Sequence, residues 1–160
     1  MKKSLMYIGV STLLITTFTG CFGESVSCSG EVEKNLVKEI TVPQTKENMI
    51  AELLNEKKSM NGMLYLLAKK AANAYGTKPN LANFEGLPEI EAKVESEYSN
   101  LKFSLEDIRT VSKDKELNSV ECVGKITIKT TNYSLDYDVE YNSQLGDDKK
   151  NIFVEVSSLN

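Results

Sequence analysis

Histidine and tryptophan are absent from the 160 residues, arginine occurs once, at Arg109, and there are only three cysteines and three prolines. Without histidine the chain has no access to the commonest general base, the usual zinc ligand, or any Ser-His or Cys-His nucleophile pair. An enzyme built from this sequence would have to work with carboxylates, lysine or tyrosine alone. The single arginine and a formal charge of −4 give no basic field for a nucleic acid. Low complexity is absent too: 41% of residues are apolar and 26% charged, with both signs interspersed. That is the composition of a chain that folds, and its length suits one ordinary domain.

The first stretch with a pattern is MKKSLMYIGVSTLLITTFTGC, residues 1 to 21. Lys2 and Lys3 form a positive start, and an uncharged run from Ser4 to Gly20 ends on small residues and a cysteine, the layout of an export signal. That run carries several Ser and Thr and reaches only the lower limit for crossing a bilayer, so an uncleaved anchor is the second reading. Phe18-Thr19-Gly20-Cys21 resembles the lipobox of bacterial lipoproteins; Gly20 and Cys21 match, and Phe18 stands where that family commonly has Leu. The resemblance implies cleavage before Cys21, with a diacylglyceryl group on its thiol and an acyl chain on its new amino group. It further implies the outer membrane, periplasmic face, because Phe22 is not the Asp that keeps such proteins at the inner membrane. Removing Cys21 from the count leaves Cys28 and Cys122, an even pair in an exported chain, and predicts a disulfide between them. Two buried free thiols are the alternative.

Residues 21 to 30 read as a short tether and 31 to 160 as a single α+β domain. Val32, Leu36, Val37 and Ile40 predict a short helix over 31 to 40, after which Thr41-Val42-Pro43-Gln44 matches a capping box that would open a new one. Met49, Ile50, Leu53 and Leu54, then Met60, Met63, Leu64, Leu67, Ala71, Ala74 and Tyr75, make a continuing apolar stripe, read as core. It predicts helices over about 44 to 59 and 61 to 75, with Asn61-Gly62 as a weak point and Gly76 as the stop. Gly76 to Pro88 reads as an irregular connection, and beyond it the period shortens to two. Strands are expected near 101 to 111, with a bulge at Glu106-Asp107, then at 120 to 128, 133 to 141 and 152 to 156. Together these predict a four-stranded antiparallel meander with N-terminal helices packed on its apolar face, in two layers.

Few side chains point to chemistry. Asp136, Asp138 and Glu140 share one strand face and could offer oxygens to Ca²⁺, but they lack the glycine-rich loop of such sites and read as a solvated face; no metal and no cofactor are expected. Asp147-Asp148 with Lys149-Lys150 reads as a mixed-sign turn. Tyr133, Tyr137 and Tyr141 share the apolar face with Leu135 and Val139 and are expected in the core, as are Met49, Met60 and Met63. Phe153 is out of phase with Ile152 and Val154 and is the candidate exposed contact. The resulting expectation is a non-enzymatic lipoprotein whose partners are the membrane, through its anchor, and another envelope protein, with no nucleic acid. Two alternatives are a carrier with an apolar cavity lined by Tyr133, Tyr137 and Leu64, and an exclusion or immunity-type lipoprotein.

Overall fold

A computed structural model describes residues 26–56, 61–82 and 84–160, so the lipobox and Cys21 lie outside the described residues. The element order is α1 (Glu31–Glu56), α2 (Asn61–Ala74), α3 (Leu87–Tyr98), β1 (Lys102–Asp114), β2 (Ser119–Lys129), β3 (Ser134–Leu145) and β4 (Ile152–Leu159). This is the expected α+β class with an antiparallel meander in the order β1-β2-β3-β4, an open sheet with β1 and β4 at its edges. The chain divides into two compact units. One contains the residues up to Thr41 with Lys102–Lys129 and Tyr133–Asn160; the other contains Val42–Leu101 and Thr130–Asn132.

In the sheet unit, period-two alternation does what a half-buried sheet requires. Val120, Cys122, Ile126 and Ile128 of β2 are buried, and register places Leu105 against Ile126, Cys122 against Tyr141, and Tyr141 against Val156. Leu36 and Val37 from the first part of α1 are buried in the same unit. The β1 bulge falls where the phase slips: register breaks between Glu106 and Arg109, and Asp107 takes a left-handed φ of 52°. Gly124 opposes it, and a Cβ there would come within 3.2 Å of the Glu106 carbonyl oxygen. The smallest side chain lets the bulged strand approach.

Four details of the helices differ from expectation. First, α1 runs unbroken through Pro43. The Thr41 hydroxyl does not cap forward; it donates back to the Val37 carbonyl at 2.8 Å, and Thr45 does the same to Val42 at 2.9 Å. Proline inside a helix removes one donor and costs about 3 kcal/mol. Burial of Leu36 and Val37 before it, and of Met49, Ile50 and Leu54 after it, offsets that cost. Second, α3 starts at the end of the expected irregular connection and continues to Tyr98, where a helix was not expected. Gly86, at φ 73°, and Pro88 in the first turn start it, and Leu87, Ile90, Val94 and Tyr98 are its buried side.

Third, α2 turns its apolar stripe outward. Met63 is 58% exposed, Leu64 55%, Leu67 53% and Tyr75 82%, whereas Gly62, Tyr65 and Ala72 are buried. The reason is at Gly62, where an added Cβ would lie 2.1 Å from the Ala51 carbonyl oxygen. The Gly62 amide also donates to Asn55 Oδ1 at 3.1 Å. Close approach of α2 to α1 through this glycine, with Tyr65 edge-on to Phe84 at 6.0 Å, commits the small-residue side of α2 inward and leaves the larger apolar side out. The expected stop is present: Gly76 takes φ 61°, and Thr77 and Gly76 donate to Ala72 and Asn73 in a Schellman arrangement. Fourth, Tyr133 is 37% exposed, not buried, because it precedes β3; Tyr137 is half-buried and Tyr141 fully so. Met60 lies outside the described residues.

Candidate functional site

Cys28 and Cys122 are at disulfide-bonding distance, with Cα atoms 5.6 Å apart. The surroundings hold the N-terminal segment to the sheet: the Tyr141 hydroxyl donates to the Cys28 carbonyl at 2.5 Å, and the Ser27 amide donates to Glu33 Oε1 at 3.1 Å. Burial, with Glu33 adding to it, pushes the Tyr141 hydroxyl up to about 12. Tyr141 is therefore a neutral donor at all ordinary pH values, and this cluster works as a fastening. The described end of the tether, 26–30, thus belongs to the sheet unit, with Val26 and Cys28 each 5% exposed.

The other expected positions separate. Asp136, Asp138 and Glu140 lie on the exposed side of β3; Thr127 donates to Asp136 at 2.7 Å, Lys125 stands opposite Asp138 in register, and no grouping of three metal-ligating side chains occurs among the described residues. Asp147 and Asp148 are in the β3–β4 turn, where Asp148 accepts from the amides of Lys150 and Asn151 at 3.0 and 3.1 Å. Those bonds hold its carboxyl below the usual carboxylate range. Phe153 is 37% exposed, its ring passing close to Gly146. Leu64 and Tyr133, expected as cavity walls, are exposed.

In the helical unit an open groove of about 460 Å³ is lined by α1, α2 and α3. Its apolar lining comes from Pro43, Ile50, Tyr65 and Ala92. Two ion pairs border it: Lys46 with Glu95, and Lys69 with Glu47 at 3.4 Å. Glu91 adds a further carboxylate among the lining residues. Burial first, and then Glu47 and Glu91, push the Tyr65 hydroxyl up to about 12. It offers the groove a neutral hydrogen-bond donor, not a base.

Sequence reasoning missed this groove for two reasons. Tyr65 lies off the apolar stripe that drew attention to α2, and Glu91, Ala92 and Glu95 stand on α3, beyond Pro88, where no helix was expected. The signal that could have revealed α3 was Gly86-Leu87-Pro88 followed by Ile90, Val94 and Tyr98 at helical spacing. At the base of α3, Glu97 accepts from the Asn132 side chain, and from the Thr130 hydroxyl and Asn132 amide at 3.1 Å each. Its carboxylate thereby holds two of the four residues that connect β2 to β3, Thr130 and Asn132.

None of the described helices is long and apolar enough to cross a membrane. No protein-family model, no curated protein and no solved structure matches this chain.

Proposed function

We propose that this chain is a lipid-anchored envelope protein of the binding rather than the enzymatic kind, and that the groove of its helical unit receives a segment of an envelope protein. One observation carries the reading: the groove has an apolar floor of Ile50 and Tyr65 and a border of opposite charges, Lys46 with Glu95 and Lys69 with Glu47. An apolar centre within a polar, paired rim is the anatomy of a protein interface, and the neutral Tyr65 hydroxyl adds a directional donor. The anchor rests on the lipobox resemblance of Phe18 to Cys21 and on Phe22 as the mark of the outer membrane, periplasmic face. A disulfide between Cys28 and Cys122 is in keeping with an oxidising compartment outside the cytosol.

Two measurements test it. Intact mass of protein extracted from membranes reads the anchor: loss of residues 1 to 20 and gain of three acyl chains is the expected result, and an unprocessed mass overturns it. A photo-crosslinking side chain at Ala92, on the groove wall, reads the partner in intact cells. A discrete adduct that disappears when Lys46→Glu and Lys69→Glu reverse the border is the expected outcome. Absence of any adduct, or one indifferent to those reversals, overturns the groove as the interface.

A further inference from the structure

The outward face of α2 has a composition that sets it apart from the rest of the chain. Met63, Leu64, Leu67, Ala71, Ala74 and Tyr75 recur at helical spacing and are all exposed, forming one uninterrupted apolar strip. Tyr65 and Lys69, which line the groove, point to the other side of the same helix. An exposed strip of this size on a folded chain marks a surface that meets something apolar.

Charge identifies what it meets. From Lys57 to Phe84 the chain has five lysines, at 57, 58, 69, 70 and 78, and no Asp or Glu, although the whole protein is acidic at −4. Among the described residues the exposed apolar strip is bordered by two lysines, Lys70 exposed beside Leu67 and Lys78 exposed just past Tyr75, while Lys69 is on the groove side with Glu47. An apolar strip bordered by lysines, with an aromatic residue at its end, is the pattern of a helix lying in the plane of a membrane interface. Its aliphatic side chains reach the acyl boundary, and lysine heads stay at the level of anionic phosphates. At 14 residues α2 is about 21 Å long, enough to lie on a bilayer and too short to cross it.

We infer that the Met63-Leu64-Leu67 face of α2, with Tyr75 in the turn that follows it, docks on an anionic lipid surface. The inference goes beyond the groove reading and uses the proposed anchor only for proximity. Because the chain is fastened to the sheet unit from Val26 onward, five residue steps separate it from Cys21, no more than about 18 Å of extended chain. A surface contact too weak to recruit a free protein then acts at high effective concentration.

The test uses the full-length chain carrying Leu67→Cys, labelled with an environment-sensitive fluorophore and reconstituted in vesicles. Cys21 is acylated in the proposed state and Cys28 is bonded to Cys122, so one label per chain is expected. Two labels would report an unacylated Cys21 and count against the anchor alone, because the unsubstituted chain, labelled in parallel, isolates the signal from position 67. In vesicles with about 30% anionic lipid, spin-labelled acyl chains should quench the position-67 probe about threefold more than a probe at Leu117→Cys. Leu117 is 60% exposed and belongs to the sheet unit, so it serves as the reference. The difference should shrink in purely zwitterionic vesicles, at about 0.5 M salt, and in the Lys70→Glu Lys78→Glu variant, which leaves the apolar strip intact. Equal quenching at both positions overturns the inference. So does shielding that ignores lipid charge and grows with protein-to-lipid ratio, which would assign the face to a second copy, or shielding lost only when a partner protein is removed.

Discussion

Single side chains decide how closely backbones approach here, and they do so where the sequence looks unremarkable. Gly62 reads as a flaw in a helical pattern, yet its missing Cβ is what lets α2 reach the Ala51 carbonyl of α1. Ser143 is the opposite case: it sits in an apolar row between Val120 and Val154, fully buried, and its hydroxyl has no hydrogen-bond partner among the described residues. A buried hydroxyl left unpaired costs about 1–3 kcal/mol relative to water, and alanine removes that cost along with only one atom of packing. Ser143→Ala is therefore expected to stabilise the protein by about 1 kcal/mol, read as a higher urea midpoint with an unchanged slope. A lower midpoint would show that the hydroxyl has a partner in solution.

At the level of elements, competition between local signal and packing runs both ways. Period-two patterning in β3 and the phase slip in β1 were enough to foresee strands and a bulge, because a sheet with one wet face copies its burial directly into sequence. Helices were less legible. Pro43 and a capping-box match suggested a break in α1, and the apolar stripe of α2 suggested core; burial on both sides of Pro43 overrode the first, and the close approach at Gly62 overrode the second. The link between α3 and the β2–β3 turn could not be read at all, since Glu97 and Asn132 are far apart in sequence. It has a pH signature. Hydrogen bonds from the Asn132 side chain, then its amide and Thr130, with Lys93 nearby, hold the Glu97 carboxyl below its ordinary value of 4.5 despite its burial. A folded value below the unfolded one means that this contribution is fully present above the ordinary carboxylate range and is lost as pH falls through the lowered value. The Asn132 amide resonance is expected to titrate with a midpoint below 4.5 and to lose that transition in Glu97→Gln. A midpoint at or above 4.5 would contradict the clasp.

For the molecule as a whole, a bond between Cys28 and Cys122, which lie at disulfide distance, would be a large covalent constraint on folding. It spans a sequence separation of 94, joining the start of the sheet unit to its second strand. Closing a loop of that length restricts the unfolded chain by about 4–5 kcal/mol. Reduction without any substitution should lower the melting temperature by about 10–20 °C in a chain of this size. Equal melting of oxidised and reduced protein would mean that the bond is absent in solution or that the unfolded chain is already restricted there. Net charge also has a distribution that composition hides, with a basic stretch around α2 in a chain acidic overall.

By itself the sequence determined the properties that depend on order along the chain: helices before strands, the phase slip of a bulge, and the alternation that makes a meander. Each follows from neighbours a few residues apart, where periodicity and turn chemistry operate. Tertiary structure alone decided which side of a helix faces water and which distant groups meet. An amphipathic stripe states that a helix has two sides, but whether the apolar one turns inward depends on what the opposite side can fit against. In α2 that was settled by a glycine, a tyrosine edge and the carbonyl of another helix. The groove of Tyr65, the Glu97 clasp and the exposed Met63-Leu67 face all follow from such long-range choices, which no local pattern encodes.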